Sequence, residues 1–495
     1  MNIQTGIVPA ARTDPQRDAE SHDFDVAIIG VGTAGMSAYR EASRYTNRIA
    51  LIDGGPLGTT CARVGCMPSK LLIAAAEAAH AGAFSGQFGV HHGPALIDGR
   101  AVMQRVRRER DRFVGFVEDS VHGFDHAELI RDYARLEDNH RIRLSGGRLV
   151  TARSIVIATG SSPFVPPALY PAGDRLIVND DVFAWDDLPG SVAVFGTGVI
   201  GLELGQALHR LGVRVRLFGR GDRIGPLTDP LVLEAARQAF AEELAITRDA
   251  GVSLSHEGEA VAVRWGEASD EQERFDYVIA ATGRRPNLRG LGLENTSVAP
   301  WNTPLPPYDP RTGRLGRSNI FIAGDVNGDL PLLHEAADEG RIAGENAARY
   351  PEPLPRERRT PLGIVFTDPQ IALAGASHAE LVRRYGSTLA VGAVSFADQG
   401  RARVMGVNRG RLRVYGEPES GRLLGAEMFG PAAEHLAHLL AWTIAAGLTV
   451  DQILQMPFYH PVLEEGVRTA LRDLNQALER VANPPLRRYV PGASR

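Results

Sequence analysis

Apolar runs and glycines form the first clear pattern in the chain. A continuous apolar run from Val26 to Ile29 leads into a Gly-x-Gly-x-x-Gly turn, an alanine-rich segment and a second apolar run from Ile49 to Ile52. Such unbroken runs are typical of parallel strands, which are buried on both faces. Because Asp53 follows the second run, the order strand, turn, helix, strand and acid predicts a dinucleotide-binding unit. The glycines of this turn are Gly30, Gly32 and Gly35.

The same pattern recurs further along the chain. Apolar runs from Val192 to Phe195 and from Val213 to Phe218 flank a second turn of this form, so two dinucleotides are expected. The acid is missing here, and Arg220 suits a 2′-phosphate, which favours NADP(H) slightly. Two alternatives stay open: Arg220 is only a solvated surface cation, or Gly219 leaves room for NAD(H). The glycines of the second turn are Gly196, Gly198 and Gly201.

Three more apolar runs end in turns that contain glycine. The segments are "SIVIATG" (154–160), "YVIAATG" (277–283) and "NIFIAGD" (319–325). A strand that ends in Gly-Asp can direct a carboxylate at a cofactor, which makes Asp325 a candidate ligand. Each segment alone is most simply explained as a strand followed by a loop.

The composition of the sequence changes after Tyr350. Residues 351–361 are rich in proline and charge and indicate a linker. Residues 412–430 predict an antiparallel hairpin with its turn at 419–421, and residues 432–448 predict an amphipathic helix that ends at Gly447. These elements indicate a separate α+β domain.

Composition and charge narrow the function further. The 495 residues are 44% hydrophobic and carry a formal net charge of −5, which argues against a basic nucleic-acid-binding surface. No apolar stretch has the length of a signal peptide or a membrane span. The 2 cysteines cannot form the framework of a disulfide-stapled secreted protein. A cytoplasmic protein without nucleic-acid or membrane partners is therefore expected.

Both cysteines lie in the segment "TCARVGCMPSK", residues 60–70. Zinc is the minority interpretation, because structural zinc usually takes four ligands and only one cysteine pair is present. A second alternative is two buried, inert thiols. The favoured interpretation is a redox disulfide between Cys61 and Cys66, since the N-terminal end of the helix that follows would stabilise a thiolate.

These motifs, in this order, resemble the FAD-dependent pyridine nucleotide–disulfide oxidoreductases, the family of dihydrolipoamide dehydrogenase, glutathione reductase and mercuric reductase. The resemblance covers roughly residues 23–480. It implies an α/β chain with two Rossmann-like domains, for FAD and NAD(P), and a C-terminal α+β dimerisation domain. The expected division is a flexible tail (1–22), an FAD domain (23–155 and 288–355), an NAD(P) domain (156–287), a dimerisation domain (356–482) and a second tail (483–495).

The resemblance also implies roles for individual residues. Cys66 would be the thiol beside the flavin and form a charge-transfer thiolate, while Cys61 would exchange with the substrate. Lys70 would lie near the flavin, paired with Glu203. FAD contacts are expected at Gly30, Gly32, Gly35, Asp53, Thr60, Lys70, Thr159, Gly160, Gly324 and Asp325. NAD(P) contacts are expected at Gly196, Gly198, Gly201, Arg220 and Gly283, and no metal site is expected.

A proton acceptor is expected in "MPFYHPVLEEG", residues 456–466. Pro461 suits the first turn of a helix, which would place His460 at the start of that helix. The resemblance implies that His460 is the acid/base, oriented by Glu465, and that this pair serves the active site of the other subunit. A homodimer with shared active sites is therefore expected.

Departures from the family pattern bear on the substrate. The absence of a third cysteine disfavours mercuric reductase, and the presence of the cysteine pair disfavours the soluble transhydrogenases. Residues 458–462, Phe-Tyr-His-Pro-Val, differ from the "HAHPT" usual in dihydrolipoamide dehydrogenase. Dihydrolipoamide, free or on a separate lipoyl-carrying protein, is the first expected substrate. The alternatives are an NADPH-dependent reductase of glutathione or another small disulfide, and an FAD-binding redox sensor or assembly partner without turnover.

Overall fold

The structure is a computed structural model that describes residues 22–93, 95–125, 127–249, 251–266 and 271–482. Apart from His22, the two tails expected from the sequence lie outside the described residues. The strands are β1 (Phe24–Ile29), β2 (Ile49–Ile52), β3 (Ala127–Ile130), β4 (Ala134–Leu136), β5 (Arg141–Leu144), β6 (Leu149–Ile157), β7 (Ser161–Pro163), β8 (Leu176–Val178), β9 (Ser191–Phe195), β10 (Arg214–Gly219), β11 (Ala245–Arg248), β12 (Ser253–Glu257), β13 (Ala260–Trp265), β14 (Glu271–Phe275), β15 (Tyr277–Ala280), β16 (Arg284–Pro286), β17 (Ile320–Ile322), β18 (Leu362–Val365), β19 (Gln370–Gly375), β20 (Ala390–Ser395), β21 (Arg411–Gly416) and β22 (Leu423–Gly430). The helices are α1 (Thr33–Ala42), α2 (Thr60–Val64), α3 (Cys66–Phe84), α4 (Gly99–His122), α5 (Asn179–Val182), α6 (Val199–Arg210), α7 (Pro230–Glu243), α8 (Leu333–Arg349), α9 (His378–Tyr385), α10 (Gly400–Val404), α11 (Ala433–Ala445), α12 (Val450–Leu454) and α13 (Glu464–Ala482).

The first sheet is built around parallel strands in the order β3-β2-β1-β6, with β17 also paired to β6. Strand β6 is long enough to pair in parallel with β1 through its second half and antiparallel with β5 through its first half. The apolar side chains of β1 and β2 are buried on both faces, as their unbroken apolar runs predict. The ends of β1 and β2 therefore hold the first glycine turn and Asp53 at one edge of the sheet.

Helices α1 and α8 pack closely beside this sheet because α8 carries glycine where the two backbones meet. A Cβ atom at Gly340 would lie 2.2 Å from the carbonyl oxygen of Ala34, and one at Gly344 would lie 2.2 Å from that of Ala38. Any larger residue at either position would push the helices apart. The small-residue spacing "GRIAG" (340–344) is the sequence signal for this contact.

The second sheet repeats the architecture of the first with five parallel strands in the order β11-β10-β9-β15-β8. An antiparallel meander, β12-β13-β14, is inserted between β11 and β15. Strands β7 and β16 form a short antiparallel pair. They lie in the two chain segments that connect the first and second sheets. Strand β6 runs to Ile157, just past the expected limit at residue 155, and the division into domains stays a prediction.

The C-terminal part contains an antiparallel sheet in the order β18-β19-β22-β21-β20. Strands β21 and β22 form the predicted hairpin, and α11 ends just before Gly447, whose positive φ of 65° completes its C-terminal turn. Helix α13 packs against β20 and β21. This sheet with its helices is the α+β unit that the sequence predicts.

The segment predicted as a linker is held against α8 by arginines. Arg356 Nε donates to Glu345 at 2.9 Å, and Arg358 pairs with both Glu335 and Glu339 at 2.5 and 2.7 Å. Each of the three glutamates is at most 5% exposed. Buried carboxylates need such partners, so this linker is an attached part of the first unit.

Candidate active site

Two helices meet at Gly65 and bring the cysteines together. Cys61 lies in the short α2, and Cys66 is the first residue of α3. A Cβ atom at Gly65 would lie 3.0 Å from the carbonyl oxygen of Thr60 and 3.2 Å from Cα of Cys61. Because glycine lacks this atom, the chain can turn sharply and place one thiol against the other.

The two thiols are hydrogen-bonded and differ in acidity. The hydrogen bond from Cys61 and the nearby Lys70 ammonium together lower the pKa of Cys66 to about 7, although burial opposes this. The same hydrogen bond raises the pKa of Cys61, and burial raises it further. Cys66 is therefore the thiolate of the pair near neutral pH, and Cys61 keeps its proton.

An ion pair lies directly beside the cysteines. Lys70 Nζ donates to Glu203 Oε2 at 2.7 Å, and Glu203, on α6, is 5% exposed. The predicted pairing of these two side chains is present in the structure. It joins α3 to the second dinucleotide unit.

Phe366, just after β18, completes this ion pair from the C-terminal unit. Its backbone N–H donates to Glu203 Oε1 at 2.9 Å, and Lys70 Nζ lies 4.6 Å from its ring centroid. The first contact is a hydrogen bond to a carboxylate and the second a cation–π contact, so Phe366 holds both side chains of the pair in place. Sequence reasoning missed Phe366, because only the tertiary fold brings it here.

The composition contains a further signal for Lys70. It is the only lysine in the chain, and arginine fills every other position of these two types. A compact ammonium, with its three rotatable donors, differs from a planar guanidinium in size and geometry. This contrast supports a specific requirement for lysine beside Cys66.

His460 and Glu465 are paired as predicted, but His460 does not lie at the start of a helix. His460 Nδ1 lies 3.0 Å from Glu465 Oε2, and Arg468 donates to the other carboxylate oxygen at 2.9 Å. The prediction that Pro461 opens a helix is wrong, because α13 begins only at Glu464 and residues 460–463 form a bend before it. The glutamate in the first turn of α13 therefore reaches back to the histidine.

The histidine of this pair points to solvent while its glutamate is sheltered. The His460 side chain is 80% exposed and that of Glu465 is 17% exposed. Burial raises the pKa of Glu465, but hydrogen bonds from Val462 N–H and His460 outweigh this and hold the pKa below its usual value. Within the described part of the chain, no hydrogen bond or ion pair joins this pair to Cys61 or Cys66.

In the first glycine turn, two glycines have no room for a side chain and one has free space around it. A Cβ atom at Gly30 would lie 2.3 Å from the oxygen of Ala158, and one at Gly35 would lie 1.9 Å from the oxygen of Gly30. A Cβ atom at Gly32 would meet nothing within 4 Å, and α1 begins there without a side-chain cap. The open N-terminal end of α1 fits a pyrophosphate, so these residues fit FAD.

The other expected FAD contacts surround this turn at the ends of strands. Asp53 accepts hydrogen bonds from Val31 N–H and Gly55 N–H at 2.7 and 2.8 Å. Asp325 accepts one from Ser161 Oγ at 2.8 Å, and Ser161 in turn accepts one from Arg284. The remaining candidates are Thr159, which donates to Asn287, Gly160 and Gly324, which have positive φ, and Thr60, which is exposed.

The second glycine turn has the same construction as the first. Cβ atoms at Gly196 and Gly201 would lie 2.2 and 1.9 Å from backbone oxygens, while one at Gly198 would meet nothing within 4 Å. Helix α6 begins at this open position without a side-chain cap. Arg220 is exposed beyond β10, and Gly283 lies in an exposed turn with φ of 109°. This turn therefore fits a second dinucleotide.

Two family patterns match the chain. Residues 24–340 match the pyridine nucleotide-disulphide oxidoreductase family, and residues 362–471 match the dimerisation domain of that family. The chain belongs to the pyridine nucleotide-disulphide oxidoreductases. The resemblance drawn from the motifs is thereby confirmed, as is the fold class with its dimerisation domain.

Relatives of this oxidoreductase match it over nearly their full length. A dihydrolipoyl dehydrogenase of Haloferax volcanii is 30% identical and covers 92% of this chain and 97% of its own. One of Thermus scotoductus is 29% identical, over 93% of this chain and 99% of its own. The solved structure of LpdA from Mycobacterium tuberculosis has a TM-score of 0.79 at 25% identity and covers 91% of this chain and 99% of its own. The HOCl-induced flavoprotein disulfide reductase RclA of Escherichia coli shares the fold, with a TM-score of 0.77 at 24% identity over 91% of this chain and 99% of its own.

Membership of this family settles the general chemistry. This oxidoreductase is an enzyme of a family that uses FAD and a pyridine nucleotide, so the alternative of a protein without turnover is set aside. Its dimerisation domain indicates a homodimer. No helix in the described part of the oxidoreductase is long and apolar enough to cross a membrane. No group of three potential metal-binding side chains comes together among those same residues.

Proposed function

We propose that the protein oxidises dihydrolipoamide, free or on a separate lipoyl-carrying protein, as a homodimer in the cytoplasm. The observation that carries this proposal is the hydrogen-bonded pair of Cys61 and Cys66 beside Lys70 and Glu203. A dithiol substrate matches a redox-active cysteine pair, because thiol–disulfide exchange conserves the number of disulfides. The dihydrolipoyl dehydrogenases among the relatives support this choice of dithiol.

The two glycine turns and their neighbours would hold the two coenzymes. FAD, when bound, passes two electrons between the cysteine pair and the nicotinamide. Its ligands would be Gly30, Gly32, Gly35, Asp53, Thr60, Lys70, Thr159, Gly160, Gly324 and Asp325. NAD(P) would be held at Gly196, Gly198, Gly201, Arg220 and Gly283, with Arg220 drawing a 2′-phosphate toward the second site.

Thiol exchange would begin at Cys61. With the cysteines oxidised, a substrate thiolate attacks Cys61 Sγ, the Cys61–Cys66 bond breaks, and Cys66 leaves as a thiolate. The low pKa of Cys66, set by Cys61 and Lys70, makes it the better leaving group. The second substrate thiolate then attacks the substrate sulfur of the mixed disulfide, the bond from that sulfur to Cys61 breaks, and Cys61 leaves and takes up a proton. The product is a cyclic disulfide, and both cysteines are left reduced.

The proton of each substrate thiol would be taken by His460 of the partner subunit. The exposed imidazole is free to face another chain, while Glu465 fixes the ring through Nδ1 and leaves Nε2 for the substrate. The carboxylate also stabilises the imidazolium that forms. In this proposal a monomer lacks a complete active site.

A second candidate function is an NADPH-dependent reductase of glutathione or another small disulfide. Arg220 beyond β10 favours it, as does the altered sequence around His460, where Tyr459 is 80% exposed. The reaction would run in the opposite direction through the same cysteines. The cysteine geometry is compatible with both candidate functions and does not distinguish them. An assay of their substrates does.

The test is a steady-state assay of the FAD-loaded enzyme with NAD(H) and NADP(H) against dihydrolipoamide, lipoamide and oxidised glutathione. Turnover of dihydrolipoamide at a kcat/KM at least tenfold above that for glutathione reduction supports the first proposal. The reverse ratio supports the second. If neither substrate turns over, both proposals are wrong.

A further inference from the structure

The second dinucleotide unit lacks an acid at the end of its second strand, yet a carboxylate occupies the same place. The two units have the same spacing, so Gly219 stands where the first unit has Asp53, and Gly221 stands where it has Gly55. In the first unit, Asp53 Oδ1 accepts the N–H of Gly55 at 2.8 Å. In the second, Asp249 Oδ1 accepts the N–H of Gly221 at 2.5 Å.

Asp249 comes from the neighbouring strand rather than from β10. It follows β11, its N–H donates to the carbonyl oxygen of Gly219 at 3.1 Å, and its φ is 49°. Aspartate is among the few residues that adopt this left-handed conformation readily. Two hydrogen bonds, one from its backbone N–H and one to its carboxylate, therefore hold Asp249 against the turn that follows β10.

The usual position of the acid is closed by Thr197. A Cβ atom at Gly219 would lie 2.9 Å from Thr197 Cγ2, so a side chain at that position would collide with the first residue after Gly196. Thr197 itself is held, because its Oγ1 donates to the carbonyl oxygen of Arg223 at 2.7 Å. An acid can therefore reach this turn only from another element, and β11 supplies it.

The other charged residues around the turn differ in their ion pairs. Arg220 and Arg223 are exposed, and neither has an ion-pair partner in the described part of the chain. Asp222 is paired with Arg237 at 3.0 Å and lies 3.9 Å from Arg248. Asp249 is thus the carboxylate at this turn without a salt bridge, and Arg220 is the cation that it opposes.

We propose that Asp249 replaces the missing acid and acts as a second determinant of coenzyme choice, favouring NAD(H) over NADP(H) against the pull of Arg220. A carboxylate beside the adenosine ribose accepts hydrogen bonds from its hydroxyls and repels a 2′-phosphate. It also occupies the Gly221 N–H, a backbone donor that a phosphate would otherwise use. This inference rests on the proposed nicotinamide site.

The test is the variant Asp249→Asn in the full-length, FAD-loaded enzyme. Asparagine tolerates the left-handed backbone and can still accept the Gly221 N–H, so the variant removes the charge and keeps the turn. The control is Asp222→Asn, which removes an equal charge from a residue of the same turn. Binding of AMP and of 2′,5′-ADP, which differ only by the 2′-phosphate, is measured by calorimetry, and kcat/KM is measured for NADH and NADPH.

The expected result in Asp249→Asn is an affinity for 2′,5′-ADP about tenfold higher and an affinity for AMP a few-fold lower, because the ribose hydroxyls lose a charged acceptor. The NADPH/NADH ratio of kcat/KM should rise by about tenfold or more. Asp222→Asn should change both by less than about twofold. An unchanged preference in Asp249→Asn, or an equal change in both variants, overturns the inference. Absence of binding by either nucleotide also overturns it. Loss of disulfide turnover with normal nucleotide binding would instead count against the proposed function alone.

Discussion

At the scale of single residues, the candidate site depends on how each charge is partnered. Cys66 is acidic because a thiol and an ammonium face it, and Lys70 contacts Glu203 and the ring of Phe366. The one lysine of the chain thus stands where a compact cation acts on a thiolate. The roles of these residues follow from charge and distance and are open to direct measurement.

Replacing the lysine should make Cys66 less acidic. In Lys70→Met the thiolate loses a nearby positive charge, so the pKa of Cys66 should rise by about 1 from its value of about 7. At pH 7 the thiolate fraction of the reduced enzyme should then fall about fivefold. The pH dependence of iodoacetamide alkylation, followed at Cys66 by mass spectrometry, measures this.

The control for this experiment is Arg108→Met, which removes an exposed cation on α4 that pairs with Glu109. Its alkylation profile should match that of the unmodified chain. An unshifted profile in Lys70→Met would show that Lys70 does not act on the thiolate.

At the scale of elements, each glycine turn uses its glycines for different purposes. Gly30 and Gly35 make room for neighbouring backbone, whereas a Cβ atom at Gly32 would meet no protein atom within 4 Å. Helices α1 and α6 both start at such an open glycine without a side-chain cap, so their first N–H groups face the open position. The same construction in both units explains why one motif predicts both sites.

Alanine substitutions should separate these purposes. Gly32→Ala adds a methyl group in open space, so the chain should fold normally but bind FAD at least tenfold more weakly, because the pyrophosphate approaches there. Gly35→Ala forces a Cβ atom to 1.9 Å from a carbonyl oxygen and should prevent folding of the unit. Circular dichroism and FAD titration of the purified variants distinguish the outcomes. Tight FAD binding in Gly32→Ala would contradict the assignment.

At the scale of the whole molecule, buried charges join parts that are distant in sequence. Glu427 on β22 is fully buried and accepts hydrogen bonds from the N–H groups of Thr228, Asp229 and His378 at 2.7 to 2.9 Å, and a fourth from the hydroxyl of Thr228. These contacts fasten the segment before α7 to the C-terminal sheet. The second dinucleotide unit is thereby anchored to the dimerisation domain.

Replacing this carboxylate should weaken the anchor. Glu427→Gln keeps the shape but puts an amide donor against backbone donors, so the free energy of unfolding should fall by about 3 kcal/mol. Glu242→Gln is the control, since Glu242 is 62% exposed in its pair with Arg409 and should cost less than about 0.5 kcal/mol. Urea titration of the FAD-loaded variants gives both values, and equal midpoints would contradict the buried role of Glu427.

Shared active sites can be tested by complementation between two damaged chains. Cys66→Ser and His460→Ala should each be inactive, His460→Ala by about 10²- to 10⁴-fold in dithiol oxidation. In a heterodimer of the two, one site carries both changes and the other carries neither, so activity should return to about half per dimer. Tandem-affinity purification of the co-expressed heterodimer, followed by the dithiol assay, provides the measurement. A heterodimer as inactive as its parents would place Cys66 and His460 of one chain in the same site.

The sequence by itself determined the repeated architecture and most of the chemistry. Apolar runs, glycine turns and a cysteine pair are local signals, because strand burial, tight backbone approach and thiol spacing depend on residues close together in the chain. Lys70 and Glu203 are far apart in the chain, so no local signal links them. The sequence predicted their pairing only through the family motifs. The prediction that a helix begins at Pro461 is wrong, because the helix begins at Glu464. The local preference of proline does not decide where a helix starts once tertiary contacts compete.

Only the tertiary structure decided which distant groups meet. Phe366 reaches the Lys70–Glu203 pair from the C-terminal unit, Asp249 fills the place of an acid from a neighbouring strand, and Glu427 joins two units. None of these has a sequence motif, since a hydrogen bond requires only that two groups end close together, at any separation along the chain. Local order follows from local sequence, whereas the electrostatic setting of the site follows from packing.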